Sequence, residues 1–546
     1  MSWNLSRLIS LQHNPSLGMN LPRVGIVKFI ILGKITFMRN ELNLIANRQF
    51  DLLVIGGGIT GAGVAHDAAA RGLKVALVEK KDFASGTSGI SSKLVHGGLR
   101  YLEHGQIGLV YESLQERGRL LRNAPHLVKS LPFLLPVYAD SRVPSWKWRA
   151  GLKLYDLLAG FANIAPSKTI APFDLRKQNI PWAKFPPLCL QYFDAQMDDS
   201  RLCIEVIEAA SQNGAAVANH LEVTALDLFP GRLSRIQMRD CLTGEQIECE
   251  SKVVLNATGP WSDQVRKLAG DTGPDLVKPT KGVHIVMSDV GLNTAMLLLH
   301  PKDGRVFFII PWLNRTLVGT TDTEWDGQLG KVSATAEDIN YLVEGFTHFL
   351  KPAAKPEVIQ SFAGLRPLFN AEASPSSRSR EFKLHLGPSG LFSAVGGKYT
   401  TYRAMAEEIT NALCGKLGNH NRCTTMNALL PGGFAIKRKG FEANGTKELG
   451  WKYGLNTIDA MHLLNRYGKR AGLVAQYCLE NKMLAERIDF QLPDLMCEFA
   501  FHRDFEMARL PDDFLYQRTR LGYLLDDQAL ENARIRVAPF CNNYQN

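Results

Sequence analysis

Apolar residues first gather into a strand-length run at Phe50–Ile55 (FDLLVI), give way to Gly56-Gly57-Gly58-Ile59-Thr60-Gly61, and are followed by a helical stretch through Arg71. A second apolar run, Val75–Val78, ends at Glu79. Strand, glycine turn, helix and strand in that order predict a β-α-β unit. The same grammar recurs twice. Val253–Asn256 leads into the small-residue turn Ala257-Thr258-Gly259, and Leu391–Val395 leads into Gly396-Gly397 ahead of a helix-like run from Thr400 to Leu413. After Thr425 the rhythm changes. Gly440–Ile488 alternates apolar and polar residues at helical spacing, and Phe514–Ala533 predicts another helix with Arg518, Arg520, Asp526 and Asp527 on its solvated face. Leu429-Leu430-Pro431-Gly432-Gly433 reads as a linker. The expected organisation is a leader (1–49), an α/β body (50–424) and a helical C-terminal domain (425–546).

Composition narrows the class. A chain of 546 residues that is 45% apolar and 21% charged has the profile of a globular protein of several domains, which excludes collagen, coiled coil and wholesale disorder. Its nine cysteines include no C-x-x-C pair, so neither a disulfide framework nor a zinc module is expected. The net charge of +10 points towards nucleic acid until its distribution is considered. Residues 1–50 hold Arg7, Arg23, Lys28, Lys34, Arg39 and Arg48 against Glu41 alone, so half of the excess lies ahead of the fold. No nucleic-acid module accompanies the rest. The leader is expected to be an extension, with Met19 and Met38 as later starts, or else an acid-poor transit segment. No apolar run reaches the roughly 18 residues needed to cross a bilayer.

The first glycine turn carries specific chemistry. Gly56, Gly58 and Gly61 form G-x-G-x-x-G between a strand and a helix, which lets backbone approach a pyrophosphate at a helix N-terminus. Glu79 ends the next strand, where a carboxylate accepts from ribose hydroxyls and repels an extra phosphate, so NADP is disfavoured. The stretch Lys81–Gln106 is rich in small and hydroxyl residues, among them Thr87, Ser88, Ser91 and Ser92, with Lys93 following. A long loop of this kind suits an extended FAD better than a nicotinamide cofactor. The turn at Ala257, Thr258 and Gly259 is expected to bring a second wall close to the adenosine site. Gly396, Gly397, Lys398 and Thr400 are expected to aim a helix at the flavin end.

At this point the sequence resembles the FAD-dependent, membrane-associated glycerol-3-phosphate dehydrogenases. The matching stretches are SSKL (91–94) with HGGLRYL (96–102), DDSRL (198–202), NATGPW (256–261), Gly304-Arg305 with Pro311-Trp312, GTTD (319–322), GLRPL (364–368), GGK (396–398) with TTYR (400–403), and LPGG (430–433). The resemblance implies a glutathione-reductase-like FAD-binding Rossmann domain interleaved with an antiparallel-sheet substrate domain at roughly 270–385, and an α-helical C-terminal cap. It also implies hydride transfer from sn-glycerol 3-phosphate to flavin, giving dihydroxyacetone phosphate. The implied substrate residues are Arg100, Tyr101, His284, Arg366 and Lys398. Arg100 and Tyr101 would contact phosphate or substrate oxygen, and Arg366 and Lys398 the substrate and the reduced flavin's charge. His284 would take the hydroxyl proton, with Lys398 or Arg366 as the alternative base. His96 reads as structural, and no metal is called for.

Electrons in the family pass to membrane quinone, with an oxygen-using oxidase branch as the alternative. Pro144–Phe161, as a helix, places Arg149, Lys153 and Asp156 beside Trp148, Leu152, Tyr155 and Ala159, with Trp146, Leu154, Leu158 and Phe161 extending the apolar side. Basic residues beside tryptophans suit a helix lying in lipid headgroups, although core packing gives the same pattern. The expected partners are glycerol 3-phosphate, membrane quinone, the membrane surface and a second copy of the chain. The expected location is peripheral, on the cytoplasmic face of the inner membrane, with cytoplasm or mitochondrion as alternatives. Rival functions are a flavin oxidase of an amine or hydroxy acid, which would need a carboxylate clamp instead of a phosphate site, and an idle flavoprotein.

Overall fold

The computed structural model describes residues 40–354, 356–370, 382–434 and 440–541. Residues 1–44 form a unit apart from 45–546, and of it the described part begins with a helical turn at Asn40–Asn43. Most of the expected leader therefore lies outside the described residues.

The first predicted strand, Gln49–Ile55, is central to a mixed sheet. It pairs in parallel with Val75–Val78 on one side and Gln246–Asn256 on the other, and the latter pairs in parallel with Phe392–Gly396. Val75–Val78 is buried throughout, as continuous apolar runs are when helices cover both faces of a parallel sheet. Ile55 stands opposite both Val78 and Asn256, so these strands end level and Gly56, Glu79 and Ala257 leave the sheet together. Open α/β sheets bind ligands outside this carboxyl edge. The helix Ile59–Ala70 packs between Asp199–Gln212 and Tyr402–Leu417. Its Gly-Ala-rich sequence permits that approach, since a Cβ at Gly63 would already lie 3.0 Å from both Ala406 and Tyr402.

A second sheet of ten strands among the described residues is antiparallel except where Ala295–Leu299 runs parallel to Val128–Val137. The expected substrate segment supplies its strands between Val277 and Phe369. The remainder, Leu94–Val95, Val128–Val137, Lys168–Ile170 and Leu188–Met197, comes from earlier in the chain. Val128–Val137 carries Pro132 and Pro136, which blur the strand signal in sequence.

The C-terminal part is helical, with Phe441–Tyr453, Thr457–Tyr467, Met496–Phe505 and Asp527–Val537 as its longer helices. Two sequence expectations fail here. Phe514–Ala533 is not one helix: a π-helical turn at Asp513–Arg518 and a short helix at Leu521–Leu524 precede Asp527–Val537, and Arg520 adopts a left-handed φ of 73° between them. Nor are Arg518 and Arg520 solvated, at 0% and 1% exposure. Arg518 grips Asp82 with both terminal nitrogens, at 2.5 and 3.1 Å, and Arg520 reaches Asp198 and Asp199. Helical spacing shows which residues share a face, but not that distant carboxylates wait on the other side. The expected linker is also packed. Gly432 is buried, and a Cβ there would lie 2.4 Å from His126 Nε2 and 2.6 Å from Glu205.

Candidate active site

The nucleotide cradle forms at the level strand ends. Gly56 has φ of +114°, and a Cβ there would lie 2.6 Å from the Ala257 carbonyl, so only glycine permits these two turns to meet. The following helix starts after Gly58 with no side-chain cap, which leaves first-turn N–H groups for an anion. The Ile59 N–H is the exception, donating to Ser88 Oγ at 2.9 Å. Glu79 is held by the Gly57 N–H (2.7 Å) and the Lys81 N–H (2.8 Å), which fixes its carboxylate while further lone pairs remain to accept from ribose. Burial pushes its pKa up, and the two backbone donors oppose that shift. Thr258 donates from N–H and hydroxyl to Asn256 Oδ1, which orders the second wall that continues into Gly259. This donor set and the close-approaching turns fit a dinucleotide.

Beyond the cradle lies a cavity of about 280 Å³ between the two sheets. Its walls include Thr87, Ser91, Ser92, Arg100, Tyr101, His284, Arg366, Gly397, Lys398 and Thr400, which brings together all five predicted substrate residues. The glycine turn after Phe392–Gly396 and the helix beginning at Tyr402 place Lys398 at the cavity wall. Its ammonium donates to the His96 carbonyl at 2.5 Å and lies 5.3 Å from the Tyr101 ring centroid. Thr400 Oγ1 bridges the His96 N–H and carbonyl, both at 3.3 Å.

His284 and Arg366 come from paired strands of the second sheet. Register sets His284 opposite Phe362 and Gly319, and Arg366 opposite Thr280, so both side chains leave the same face. Glycines make room for them to lie flat. A Cβ at Gly319 would be 2.1 Å from the His284 ring, and one at Gly282 would be 2.2 Å from the Arg366 guanidinium. The imidazole stacks on Phe362 with centroids 5.0 Å apart, and its Nε2 shares a hydrogen bond of 2.9 Å with Ser92 Oγ. Its Nδ1 is buried without a hydrogen-bond partner among the described residues. Desolvation first, then the Arg366 and Lys93 charges, push its pKa down to about 3, so the ring is neutral. Arg366 donates to Asp322 Oδ1 (3.0 Å), Thr320 Oγ1 (2.8 Å) and the Thr321 carbonyl (3.1 Å).

The other predicted residues divide clearly. Gly56, Gly58, Gly61, Glu79, Ser88, Ala257, Thr258, Gly259 and Gly396 lie outside the cavity lining, and Thr87 lines the cavity while donating to the Leu365 carbonyl at 2.6 Å. Lys93 does not line it either. Its ammonium is fully buried and committed to Asp199 Oδ2 and the Gly89 carbonyl, both at 2.7 Å, and desolvation pulls its pKa down to about 8. Sequence reasoning missed Arg305, Thr320, Asp322 and His96 as cavity residues. Arg305 donates to the Asp322 carbonyl at 3.0 Å, which places a further guanidinium beside Arg366. The Gly304-Arg305 and Gly319–Asp322 stretches were the available signal, and nothing in them tells a cavity cation from a surface one.

The helix Ser145–Ala159 forms as predicted. It buries Leu152, Tyr155 and Ala159, while Trp146 (70%), Leu157 (76%) and Phe161 are exposed together with Arg149 and Lys153. Among the described residues no helix is long and apolar enough to cross a membrane.

Residues 51–411 match the FAD dependent oxidoreductase family, and residues 423–542 match the C-terminal domain of alpha-glycerophosphate oxidase. A mitochondrial glycerol-3-phosphate dehydrogenase of Arabidopsis thaliana is 36% identical over 521 residues, covering 89% of this chain and 81% of its own. A glycerol-3-phosphate dehydrogenase of Synechocystis is 38% identical over 509 residues, covering 88% of this chain and 91% of its own. The crystal structure of the Bacillus halodurans glycerol-3-phosphate dehydrogenase complexed with FAD superposes with a TM-score of 0.73 at 28% identity, covering 92% of this chain and 96% of that one.

Proposed function

Because this chain belongs to the FAD-dependent oxidoreductases, and among them to the glycerol-3-phosphate dehydrogenases, we propose that it oxidises sn-glycerol 3-phosphate to dihydroxyacetone phosphate and passes the electrons to a membrane quinone. The observation that carries this reading is the convergence of Arg100, Arg305, Arg366 and Lys398 on one small cavity. Asp322 already engages Arg366 at 3.0 Å, yet four cationic side chains at one small cavity are a donor set suited to the several oxygens of a phosphate dianion. A hydroxy acid would bring a single carboxylate to that donor set, and an amine no anion at all.

The cradle residues Gly56, Gly58, Gly61, Glu79, Ser88, Ala257, Thr258 and Gly259 would hold the nucleotide half of FAD, and Gly396, Gly397, Lys398 and Thr400 would meet its flavin. When bound, FAD supplies the hydride acceptor that alcohol oxidation requires. The chain's own residues handle charge and proton. Arg100, Arg305 and Arg366 grip the phosphate, Tyr101 orients the substrate, and Lys398 offsets negative charge at the cavity wall. His284 takes the hydroxyl proton. A neutral imidazole has one nitrogen able to accept a proton, and entry of the dianion raises its proton affinity. The exposed Trp146 and Leu157 of the helix Ser145–Ala159 and Phe161 just after it, with Arg149 and Lys153, support peripheral attachment, and the face assigned in this reading is the cytoplasmic face of the inner membrane.

The test is donor and acceptor specificity. Arg366→Ala is expected to retain FAD and lose about 100-fold or more in kcat/KM for glycerol 3-phosphate, with little change in the residual turnover of glycerol. A soluble quinone analogue is expected to be reduced faster than oxygen. Equal losses on both donors would remove the phosphate role, and faster oxygen consumption would make the chain an oxidase.

A further inference from the structure

The loop that brings Ser91 and Ser92 to the cavity is wrapped around a single carboxylate. Asp199 Oδ2 accepts from the Ser91 N–H (3.1 Å), the Ser91 hydroxyl (2.7 Å) and the Lys93 ammonium (2.7 Å). Lys93 returns to the Gly89 carbonyl, and its own N–H donates to Ser91 Oγ at 3.0 Å. The other oxygen, Oδ1, accepts from the Ser200 N–H at 2.9 Å and from the Arg520 guanidinium. Arg520 also holds Asp198 Oδ1 through Nε (3.1 Å) and Nη2 (2.9 Å), and donates to the Tyr516 carbonyl at 2.9 Å.

Asp199 is completely buried, a position in which a carboxylate is tolerated only when its charge and lone pairs are answered. Arg520 provides half of that answer from more than three hundred residues away in the chain. Lys93 and Arg520 both occupy the left-handed region, with φ of 59° and 73°, a conformation that non-glycine residues keep where the surroundings impose it. Ser92, between Ser91 and Lys93 in the loop, is the hydrogen-bond partner of His284.

We propose that Arg520, from the C-terminal helical part, is a positioning residue for the reaction: through Asp199 it fixes the loop whose Ser92 orients the His284 imidazole. The inference rests on the role given to His284 under the proposed function. It assigns the C-terminal part a task in turnover, performed without touching substrate.

The experiment compares wild type, Arg520→Gln, Arg520→Lys, Ser92→Ala and the Ser92→Ala/Arg520→Gln double variant, each as the FAD-loaded enzyme, by the anaerobic rate of flavin bleaching with glycerol 3-phosphate. Arg520→Gln is expected to slow saturating bleaching about 10- to 100-fold, the scale of a small misplacement of a catalytic group, with half-saturation moved less than about threefold. Arg520→Lys, which keeps the charge but not the fork, is expected to recover part of the loss. In the Ser92→Ala background the Arg520→Gln loss should largely vanish, because both act through one hydrogen bond. Multiplicative losses, or unchanged bleaching per bound flavin in Arg520→Gln, would overturn the proposal. If Arg520→Gln does not fold, the Arg520→Lys pair decides by the same criterion. A wild type that does not bleach overturns the functional reading and the proposal with it, and so is distinct from a wild type that bleaches alongside an unaffected variant.

Discussion

His284 is held neutral by its surroundings. It is fully buried, stacked on Phe362, and faces two cations, so protonation is opposed by desolvation and by charge, and its pKa falls to about 3. In the substrate-free enzyme the imidazole is therefore expected to remain unprotonated as pH falls through 6.5 and beyond, observable as an unshifted ring ¹⁵N resonance down to about pH 5. A ring that titrates near 6.5 would contradict the burial argument. The sign for stability follows. The unfolded chain takes up a proton on this histidine near pH 6.5 and the folded chain does not, so the contribution is present above that pH and is lost as pH falls towards 3. At this scale the motifs made the cavity's main residues legible, because Arg100, Tyr101, His284, Arg366 and Lys398 each stand in a stretch with recognisable neighbours. What the motifs could not convey was partnership. Lys93 looks like a cofactor residue in sequence and is consumed by Asp199, whereas His96 looks structural and stands in the wall.

Single elements are tied together by buried ion pairs instead of by apolar contact alone. Asp82 follows the second parallel strand, and Arg518 comes from the π-helical turn at Asp513–Arg518, yet the two meet with no exposure of the guanidinium. Arg201 and Glu506 repeat the device between Asp199–Gln212 and the end of Met496–Phe505. Removing one partner strands a charge, so Arg518→Met is expected to cost about 3–5 kcal/mol, read as a lowered Tm and earlier release of FAD on heating. An unchanged Tm would mean that the pair is solvated after all. The helix Ser145–Ala159 and the turn Gly160–Ala162 after it make the opposite choice and leave Leu157 and Phe161 in water. Leu157→Glu with Phe161→Glu should abolish cosedimentation with anionic vesicles while leaving turnover with a soluble acceptor intact. Cosedimentation that survives the change would place lipid contact elsewhere.

Across the molecule, the sequence was most readable where backbone geometry leaves one solution. The three strand-glycine units at 50–61, 253–259 and 391–397 lie at one sheet edge because their strands pair in parallel, the first two ending level at Ile55 and Asn256 and the third running on past Ser393 to Gly396. The second sheet was less readable. Its strands come from both sides of the cofactor-binding segments, and pairings such as Leu94 with Gln196, or Ala295 with Phe133, join residues too distant for any local pattern to announce. The C-terminal part was legible as helical and misleading as a surface, since Arg518, Arg520 and, in the expected linker, Gly432 are interior. All of this architecture serves one claim, that a phosphate ester gripped by cations gives up a hydride next to a neutral histidine. The most direct measurement is anaerobic addition of glycerol 3-phosphate to the FAD-loaded protein while the flavin absorbance and dihydroxyacetone phosphate are followed together. The account predicts bleaching with one equivalent of dihydroxyacetone phosphate per flavin, and none with glycerol at the same concentration. A flavin that stays oxidised with glycerol 3-phosphate, or bleaches equally well with glycerol, would contradict it.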